Sequence, residues 1–365
     1  MIRYRIFETI DNQLIDEINK IRHDSFSYVF QMPEWIETVL HNLNKSNKLK
    51  VVFIYNNSDL ILVAPLQIRM IYGCKELCWV SSDIVDYNSP IISKFYSYDN
   101  NNFKTVWKKI IKDLSNECDL VYLNKNPQFI VGKSNPLLNS SYKFYQKSYQ
   151  LNFNKFDFEN FYENNNNNKS KQTDRRKKKK LDKDDNLVYS YKKIDLSNFE
   201  LIEELIFEKI SSYHAKKEKT FNYKDIANQY REIISYANSN YEFNLSILKK
   251  NNQKISSILG VIYNGIYYYL MPVTHDTCYK KLSPGRFHII NLINWSIKKN
   301  IQSIDFTPGD EPYKLSWSNN NFKMFYYIRP LSLKGSIRYL LLNFYYKLRK
   351  NYFLKKIYHF IKYEI

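Results

Sequence analysis

Glycine is scarce, with seven in 365 residues, so each one marks a place where the backbone has reason to need it. Cysteine is rarer still, with four. Cys74, Cys78, Cys118 and Cys278 form no Cys-x-x-Cys pair, and no paired histidine spacing suits zinc. Those absences argue against a metal centre and for reduced, buried thiols in a cytoplasmic protein. Long apolar runs are also missing. No stretch approaches the roughly 18 residues of a membrane span, and the start, MIRYRIFETIDNQ, has no apolar signal-peptide core. No Ser/His/Asp or Cys/His nucleophile system is visible, because His214 and His275 stand isolated in the sequence.

What is present is biased. Aromatic residues make up 17% of the chain, chiefly as 33 tyrosines and 23 phenylalanines, alongside many Asn, Lys and Ile. A lone Tyr, Asn or Lys therefore carries little weight as a signal. The net charge of +19 permits nucleic acid, anionic lipid or phosphorylated ligands as partners, but it shares the same lysine bias. The apolar fraction of 44% supports a real core, and the length fits one large domain or two of medium size.

Periodicity predicts a strand at Ile2–Ile6, helices at Asn12–Arg22 and Pro33–Leu43, and a hairpin of Lys50–Tyr55 with Leu60–Ile68. Pro65 inside the second hairpin strand points to an edge or a bulge. Further strands are expected at Lys75–Val80, Asp119–Leu123 and Tyr149–Phe153, with a helix at Phe103–Leu114. Composition then changes at the asparagine run Asn164–Asn168 and the basic run Arg175–Lys180, read as a helix from near Asn160. A solvated basic face, a contact for an anionic ligand and a nucleic-acid contact are the three readings of that run. The second half repeats the plan of the first. A strand Asn186–Lys193 precedes helices Phe199–His214 and Asn222–Ala237. Strands Phe243–Lys249, Lys254–Tyr263 and Gly265–Pro272 follow, the last two turning at Asn264-Gly265. Each half thus runs helix–helix, meander, helix, strand, which is α/β with mixed sheets. Residues 331–365 form a basic amphipathic tail, from Lys334 and Arg338 to Lys355, Lys356 and Lys362. It suits either a helix lying on anionic lipid or a helix packed on the body of the protein.

Ser283–Lys314 concentrates the chemistry. Ser283-Pro284-Gly285-Arg286 leads directly into a helix ending near Asn300, and a strand Ser303–Thr307 opens into Pro308-Gly309-Asp310-Glu311-Pro312-Tyr313-Lys314. A tight turn at a helix start offers free N–H groups and the positive end of the helix dipole, which suits a phosphate. Ordinary helix capping is the alternative.

Six motifs resemble the GNAT superfamily, and more narrowly the CelD-like acyltransferases linked to polysaccharide biosynthesis, with the Fem-type aminoacyl transferases as relatives. They are Phe30-Gln31-Met32-Pro33-Glu34-Trp35, Ala64-Pro65-Leu66, Asp86-Tyr87-Asn88-Ser89-Pro90, Arg175–Leu181, Ser283–Arg286 and Asp305–Lys314, in that order. His288 departs from the pattern, which has an aliphatic residue there, and reads as a core substitution.

The resemblance implies a tandem GNAT-like acyl-CoA N-acyltransferase fold, with an N-terminal unit at 1–153, a catalytic unit at 154–330 and the tail at 331–365. It implies acetyl-CoA or another acyl-CoA as cosubstrate, without metal. The pyrophosphate would lie at Ser283, Pro284, Gly285 and Arg286, and the pantetheine arm would run along the backbone near Met271 and Val273. The acceptor's proton would pass to Asp305, Asp310 or Glu311, with Asp276 behind them. Lys314 or Tyr313 would stabilise the oxyanion, and Tyr313 would alternatively protonate the leaving thiolate. The acceptor expected is an amine, or a hydroxyl, of a sugar, glycolipid or cell-envelope polysaccharide precursor. The expected place is the cytoplasm, extending to the inner face of the plasma membrane, and nucleic acid is not expected as a partner. Two alternatives remain: a Fem-type enzyme using aminoacyl-tRNA, and a non-catalytic basic module for membrane surfaces.

Overall fold

The computed structural model describes residues 1–9, 11–41, 47–81, 84–98, 101–154, 157–165, 168–183, 186–215, 222–236 and 241–350. Along the chain the main elements are β1 (Ile2–Phe7), α1 (Asn12–Arg22), α2 (Pro33–His41), β2 (Lys48–Asn56), β3 (Asp59–Ile71), β4 (Cys74–Trp79), α3 (Asn101–Ser115), β5 (Leu120–Pro127) and β6 (Lys143–Asn152). They continue with α4 (Phe158–Asn165), α5 (Asn168–Asp182), β7 (Leu187–Ile194), α6 (Glu200–Ala215), α7 (Tyr223–Ser235), β8 (Tyr241–Lys250), β9 (Gln253–Tyr263) and β10 (Ile266–Thr274). Last come α8 (Pro284–Lys298), β11 (Ser303–Pro308), α9 (Pro312–Ser316), β12 (Asn320–Pro330) and α10 (Leu333–Lys350). Two compact units result: residues 1–146 with 322–365, and residues 147–321.

The first unit orders its strands β1-β2-β3-β4-β5-β12. Neighbours are antiparallel except β4 and β5, which pair in parallel at Glu76–Leu120 and Leu77–Val121. Helix α1 forms because Leu14, Ile18 and Ile21 recur on one buried face, and Asp11 caps it by accepting the Leu14 N–H at 2.8 Å. Pro65 marks neither an edge nor a bulge, the two features expected above, since the register with β2 is regular at Val51–Pro65. It faces Val51 of β2, while on its other side β3 changes partner, from β4 at Leu66 to the short strand Ile91–Ser93 at Val63. The missing N–H falls at that changeover and costs no ladder bond. The early motifs of the sequence meet here. Gln31 Nε2 donates to the Tyr87 carbonyl at 2.7 Å, the Ser89 hydroxyl donates to Gln31 Oε1 at 3.0 Å, and Tyr28 stacks on Tyr87.

The second unit orders its strands β7-β8-β9-β10-β11-β6. It repeats the first strand for strand, with β10 and β11 as its parallel pair. Asn264 and Gly265 turn β9 into β10 with φ of 49° and 75°, the doubly left-handed turn that Asn-Gly favours. Helix α8 packs its Ile289, Leu292 and Ile293 against Tyr267, Ile304 and Phe306 in one buried core.

The observed units cut across the boundaries 1–153, 154–330 and 331–365 because strand pairing overrides chain order. β6 pairs with β11 through Gln150–Asp305 and Leu151–Ile304, and so belongs with the second unit. β12 pairs with β5 through Ile328–Tyr122 and belongs with the first. Helix α10 packs Leu342 and Tyr346 on Tyr122 and Tyr326 of that same unit. The tail beyond Lys350 lies outside the described residues.

Candidate active site

Strands β10 and β11 are paired for only three residues, Ile266–Ser303, Tyr267–Ile304 and Tyr268–Asp305. Past that point they part. On its other side β10 stays paired with β9, but the register shifts between Gly260–Tyr269 and Leu259–Met271, so Leu270 is an extra residue. Such a bulge bends the strand and turns β10 away from β11 at the place where the pairing stops. Leu270, Met271 and Pro272 are half-buried and Val273 is buried. From Tyr269 onward one backbone edge of β10 has no strand partner among the described residues, an edge that an extended ligand can join.

The far end of β10 runs into the helix turn. Ser283 adopts left-handed φ and ψ of 58° and 53°, and Pro284 occupies the first turn of α8, where its missing N–H costs nothing. Gly285 lies flat against β10, and a Cβ there would stand 3.1 Å from Thr274 Oγ1. The serine does not cap its own helix. Its hydroxyl accepts a 2.7 Å hydrogen bond from Lys177 Nζ on α5. Arg286 is engaged as well: Nε donates to Asp174 Oδ2 at 2.7 Å, and its guanidinium lies 4.8 Å from the Trp317 ring centroid. Asp174 also accepts the Tyr162 hydroxyl at 2.6 Å, and Tyr162 stacks on Trp317. Burial first, and then the Asp174 carboxylate, push the Tyr162 phenol up to about 12. The N-terminus of a fifteen-residue helix thus meets an ammonium group 2.7 Å from its cap serine, an arrangement suited to an anion.

Past the C-terminal end of β11, the other parted strand, lies a braced turn. Asp305 is fully buried; its Oδ1 accepts the Thr307 N–H at 2.8 Å and its Oδ2 accepts Gln150 Nε2 at 2.9 Å. Thr307 has a φ of 61°, a strained value for a β-branched residue, and Asp305 holds it there. Lys314 is buried, donating to the Pro308 carbonyl at 3.0 Å and pairing with Glu311 at 3.2 Å. Both pack on Gly309, where a Cβ would stand 2.7 Å from Lys314 Nζ. Asp310 and Glu311 are exposed and Tyr313 is half-buried. The Tyr313 ring lies 6.2 Å from that of Tyr269, which lies 5.4 Å from Phe306. Tyr149, on β6, joins this corner: burial first, then Asp310 and Glu311, raise its phenol.

The structure therefore places Ser283, Pro284, Gly285 and Arg286 past the C-terminal end of β10, Met271 and Val273 along that strand, and Asp310 and Tyr313 in the turn past the C-terminal end of β11. Asp305 and Lys314 shape the turn from beneath. Reading the sequence missed Lys177 and Asp174 as partners of the turn, although Asp174, Lys177 and Leu181 share one face of α5 by helical spacing. It missed Tyr149 and Tyr269 because so many tyrosines dilute the signal. His288 is a core residue, with both ring nitrogens 2.9 Å from serine hydroxyls. His275 is not isolated in space: it sits 2.8 Å from Ser257 Oγ and 3.1 Å from Glu208. Ser257 is buried within β9, so this chain of hydrogen bonds braces α6 rather than exposing a nucleophile. Among the described residues no group of three or more His, Cys, Asp or Glu is placed to hold a metal ion.

Residues 168–315, which run from α5 to α9, match the family model described as an acetyltransferase (GNAT) domain. The second unit is a GNAT acyltransferase domain. The protein carrying it is an enzyme, and its fold is shared with solved structures well beyond that segment. FemX superposes at a TM-score of 0.56 with 11% identity, over 93% of this chain and 99% of that one. A conserved protein of unknown function from Bacteroides thetaiotaomicron VPI-5482 gives 0.52 and 12%, over 89% and 99%. L-PGS from Bacillus licheniformis gives 0.51 and 10%, over 88% and 92%. At these identities the likeness is one of fold alone. No curated protein matches the sequence. Within the GNAT domain, the parted β10 and β11 and the α8 turn form the candidate active site.

Proposed function

We propose that the GNAT domain transfers an acetyl or other acyl group from acyl-CoA to an amine, or a hydroxyl, of a sugar or cell-envelope polysaccharide precursor. One observation carries the donor half of this reading: Lys177 reaches the cap serine of α8, whose Gly285 lies against Thr274 at the end of the β10 stretch that β11 does not pair. A pyrophosphate fits the first, and an extended pantetheine amide chain fits the second. Ser283, Gly285 and Lys177 would hold the phosphates, Arg286 being kept in place by Asp174. The backbone of Met271 and Val273 would align the arm. Tyr313 would give a proton to the departing thiolate, and Asp310 or Glu311 would take the acceptor's proton. Asp305 and Lys314 act as positioning residues. The sugar acceptor rests on the motif resemblance to CelD-like proteins.

Acetyl-CoA should raise the melting temperature of the protein, and free thiol should appear when an amino-sugar acceptor is supplied. Lys177→Met should raise KM for the donor roughly ten- to a hundred-fold with little change in kcat, because a hydrogen bond to a charged group contributes about 1.5–3 kcal/mol. An unchanged KM would remove the phosphate from this turn.

A second reading, an aminoacyl-tRNA donor, is favoured by the exposed Arg175, Arg176, Lys178, Lys179 and Lys180 on α5. Binding of charged tRNA, with no response to any CoA thioester, would decide for it.

A further inference from the structure

We propose that α10 holds the protein on anionic membrane surfaces, lying in the plane of the lipid headgroups with one face inserted. Leu333, Ile337, Leu340, Leu341 and Phe344 recur at the spacing of a single helical face. They are between 56% and 86% exposed, and they make up five of the sixteen large apolar side chains left exposed among the described residues. A continuous stripe of that kind is unusual on a soluble surface.

The opposite face cannot release the stripe inward, because it is fastened to the first unit. Leu342 and Tyr346 are buried, Tyr346 lies parallel to Tyr326 at 3.7 Å between ring centroids, and its hydroxyl meets that of Tyr122 at 2.8 Å. Arg338 Nε donates to the fully buried Glu76 at 2.6 Å. At the start of the helix the Ser332 hydroxyl donates to Asp119 Oδ1 at 2.6 Å and accepts the Gly335 N–H at 3.2 Å. Gly335 lies so close to the Asp119 carbonyl that a Cβ would collide with it. The stripe is therefore held facing outward.

Charge selects the occupant. Lys334 and Lys347 are exposed and flank the stripe, one on each side. Helix α10 contains no Asp or Glu, and the sequence beyond it adds Lys355, Lys356 and Lys362 before its first acid, Glu364. An apolar stripe margined by cations, without anions, matches a bilayer interface carrying acidic lipid. A second copy of the same face would set lysine against lysine, and an apolar protein groove would not require the cations. No helix among the described residues is long and apolar enough to cross a membrane, so the contact is one of lying on the surface.

The full-length protein should cosediment with vesicles of phosphatidylcholine and phosphatidylglycerol in equal parts, and not with phosphatidylcholine alone. Raising the salt to about 0.5 M should weaken binding several-fold. The double variant Ile337→Glu with Leu341→Glu should lose binding at least ten-fold. Because both side chains point to solvent, its melting temperature should stay unchanged. Lys334→Glu with Lys347→Glu should shift binding toward salt independence. Absence of wild-type binding would overturn the proposal, as would retention in the Ile337→Glu/Leu341→Glu protein. So would a concentration-dependent dimer abolished by that variant without vesicle binding, which would assign the stripe to a second copy. None of these outcomes depends on the donor or acceptor proposed above.

Discussion

His288 has no exposed surface, and its two ring nitrogens each sit 2.9 Å from a serine hydroxyl, those of Ser246 and Ser256. A neutral imidazole satisfies both, donating to one and accepting from the other. Protonation would bury a charge with no counter-ion beside it, so burial, and to a lesser degree His275, lower its pKa from 6.5 to about 3. The unfolded chain binds that proton more readily than the folded one. The stabilising difference is therefore complete above pH 6.5 and is lost as the pH falls toward 3. His275 is pushed the same way, burial outweighing the opposing pull of Glu208. Stability should drop by about 2 kcal/mol from His288 alone between pH 6.5 and about pH 5, read as a shift in urea midpoint. In His288→Leu that slope should flatten, while stability at pH 8 falls by about 1–3 kcal/mol as the Ser246 hydroxyl loses its partner, Ser256 keeping its 3.3 Å bond to the Val273 carbonyl. An undiminished slope would show that other groups govern it. Asp305 gives a separate test. Asp305→Asn retains the shape but turns an N–H toward a donor, either Gln150 or the Thr307 amide. It should cost about 1–3 kcal/mol, and turnover should fall through kcat as the Thr307 turn relaxes. Normal stability together with an altered pH profile would instead make Asp305 a proton carrier.

Among the elements, those written in apolar periodicity were the legible ones. Helix α1 begins and ends at the residues expected, Asn12 and Arg22, because a capping aspartate and a clean Leu14–Ile18–Ile21 face leave no competing register. The β9–β10 hairpin was equally clear from Asn264-Gly265. What the sequence could not state was where along their length β10 and β11 part. The gap between β10 and β11 arises from a one-residue bulge at Leu270, and nothing in Tyr-Tyr-Tyr-Leu-Met distinguishes the extra residue. The short helix α9 was hidden for a similar reason, since a five-residue turn after Pro312 carries no periodicity. Gly260 was overlooked too. It sits at the same bulge, and a Cβ there would stand 2.2 Å from Cζ and 2.4 Å from the hydroxyl oxygen of the fully buried Tyr267. Gly260→Ala should therefore destabilise by about 1–3 kcal/mol through overpacking, measured by chemical denaturation. Tyr267→Leu in the same chain should recover part of that loss, because neighbouring substitutions couple. Strict additivity of the two would mean that the ring is not what fills the space.

At the scale of the molecule, the repeat of two β-α-α-β-β-β-α-β units was legible, whereas the assignment of their final strands was not. Each unit ends in a strand supplied from outside its own run, β12 for the first and β6 for the second. Pairing between segments 151 to 210 residues apart leaves no local trace, and β12 looks the same in sequence whichever neighbour it joins. The consequence concerns folding. Residues 147–321 are continuous and contain all of the pairing segments of the second unit, including Ser148–Asn152 against Ser303–Pro308. The first unit is discontinuous. A fragment 1–146 lacks β12 and α10, leaving the β5 edge and Tyr122 uncovered, a long apolar edge of the kind that aggregates. Fragment 147–321 should thus be soluble and cooperatively folded, and should keep the acetyl-CoA thermal shift if the donor site is as proposed. Fragment 1–146 should aggregate, and should become soluble when a 320–350 peptide is supplied. Circular dichroism and size-exclusion chromatography would check both. A well-folded, monomeric 1–146 would mean that β12 is dispensable to the sheet it completes, and the division into two units with exchanged final strands would fail as an account of folding.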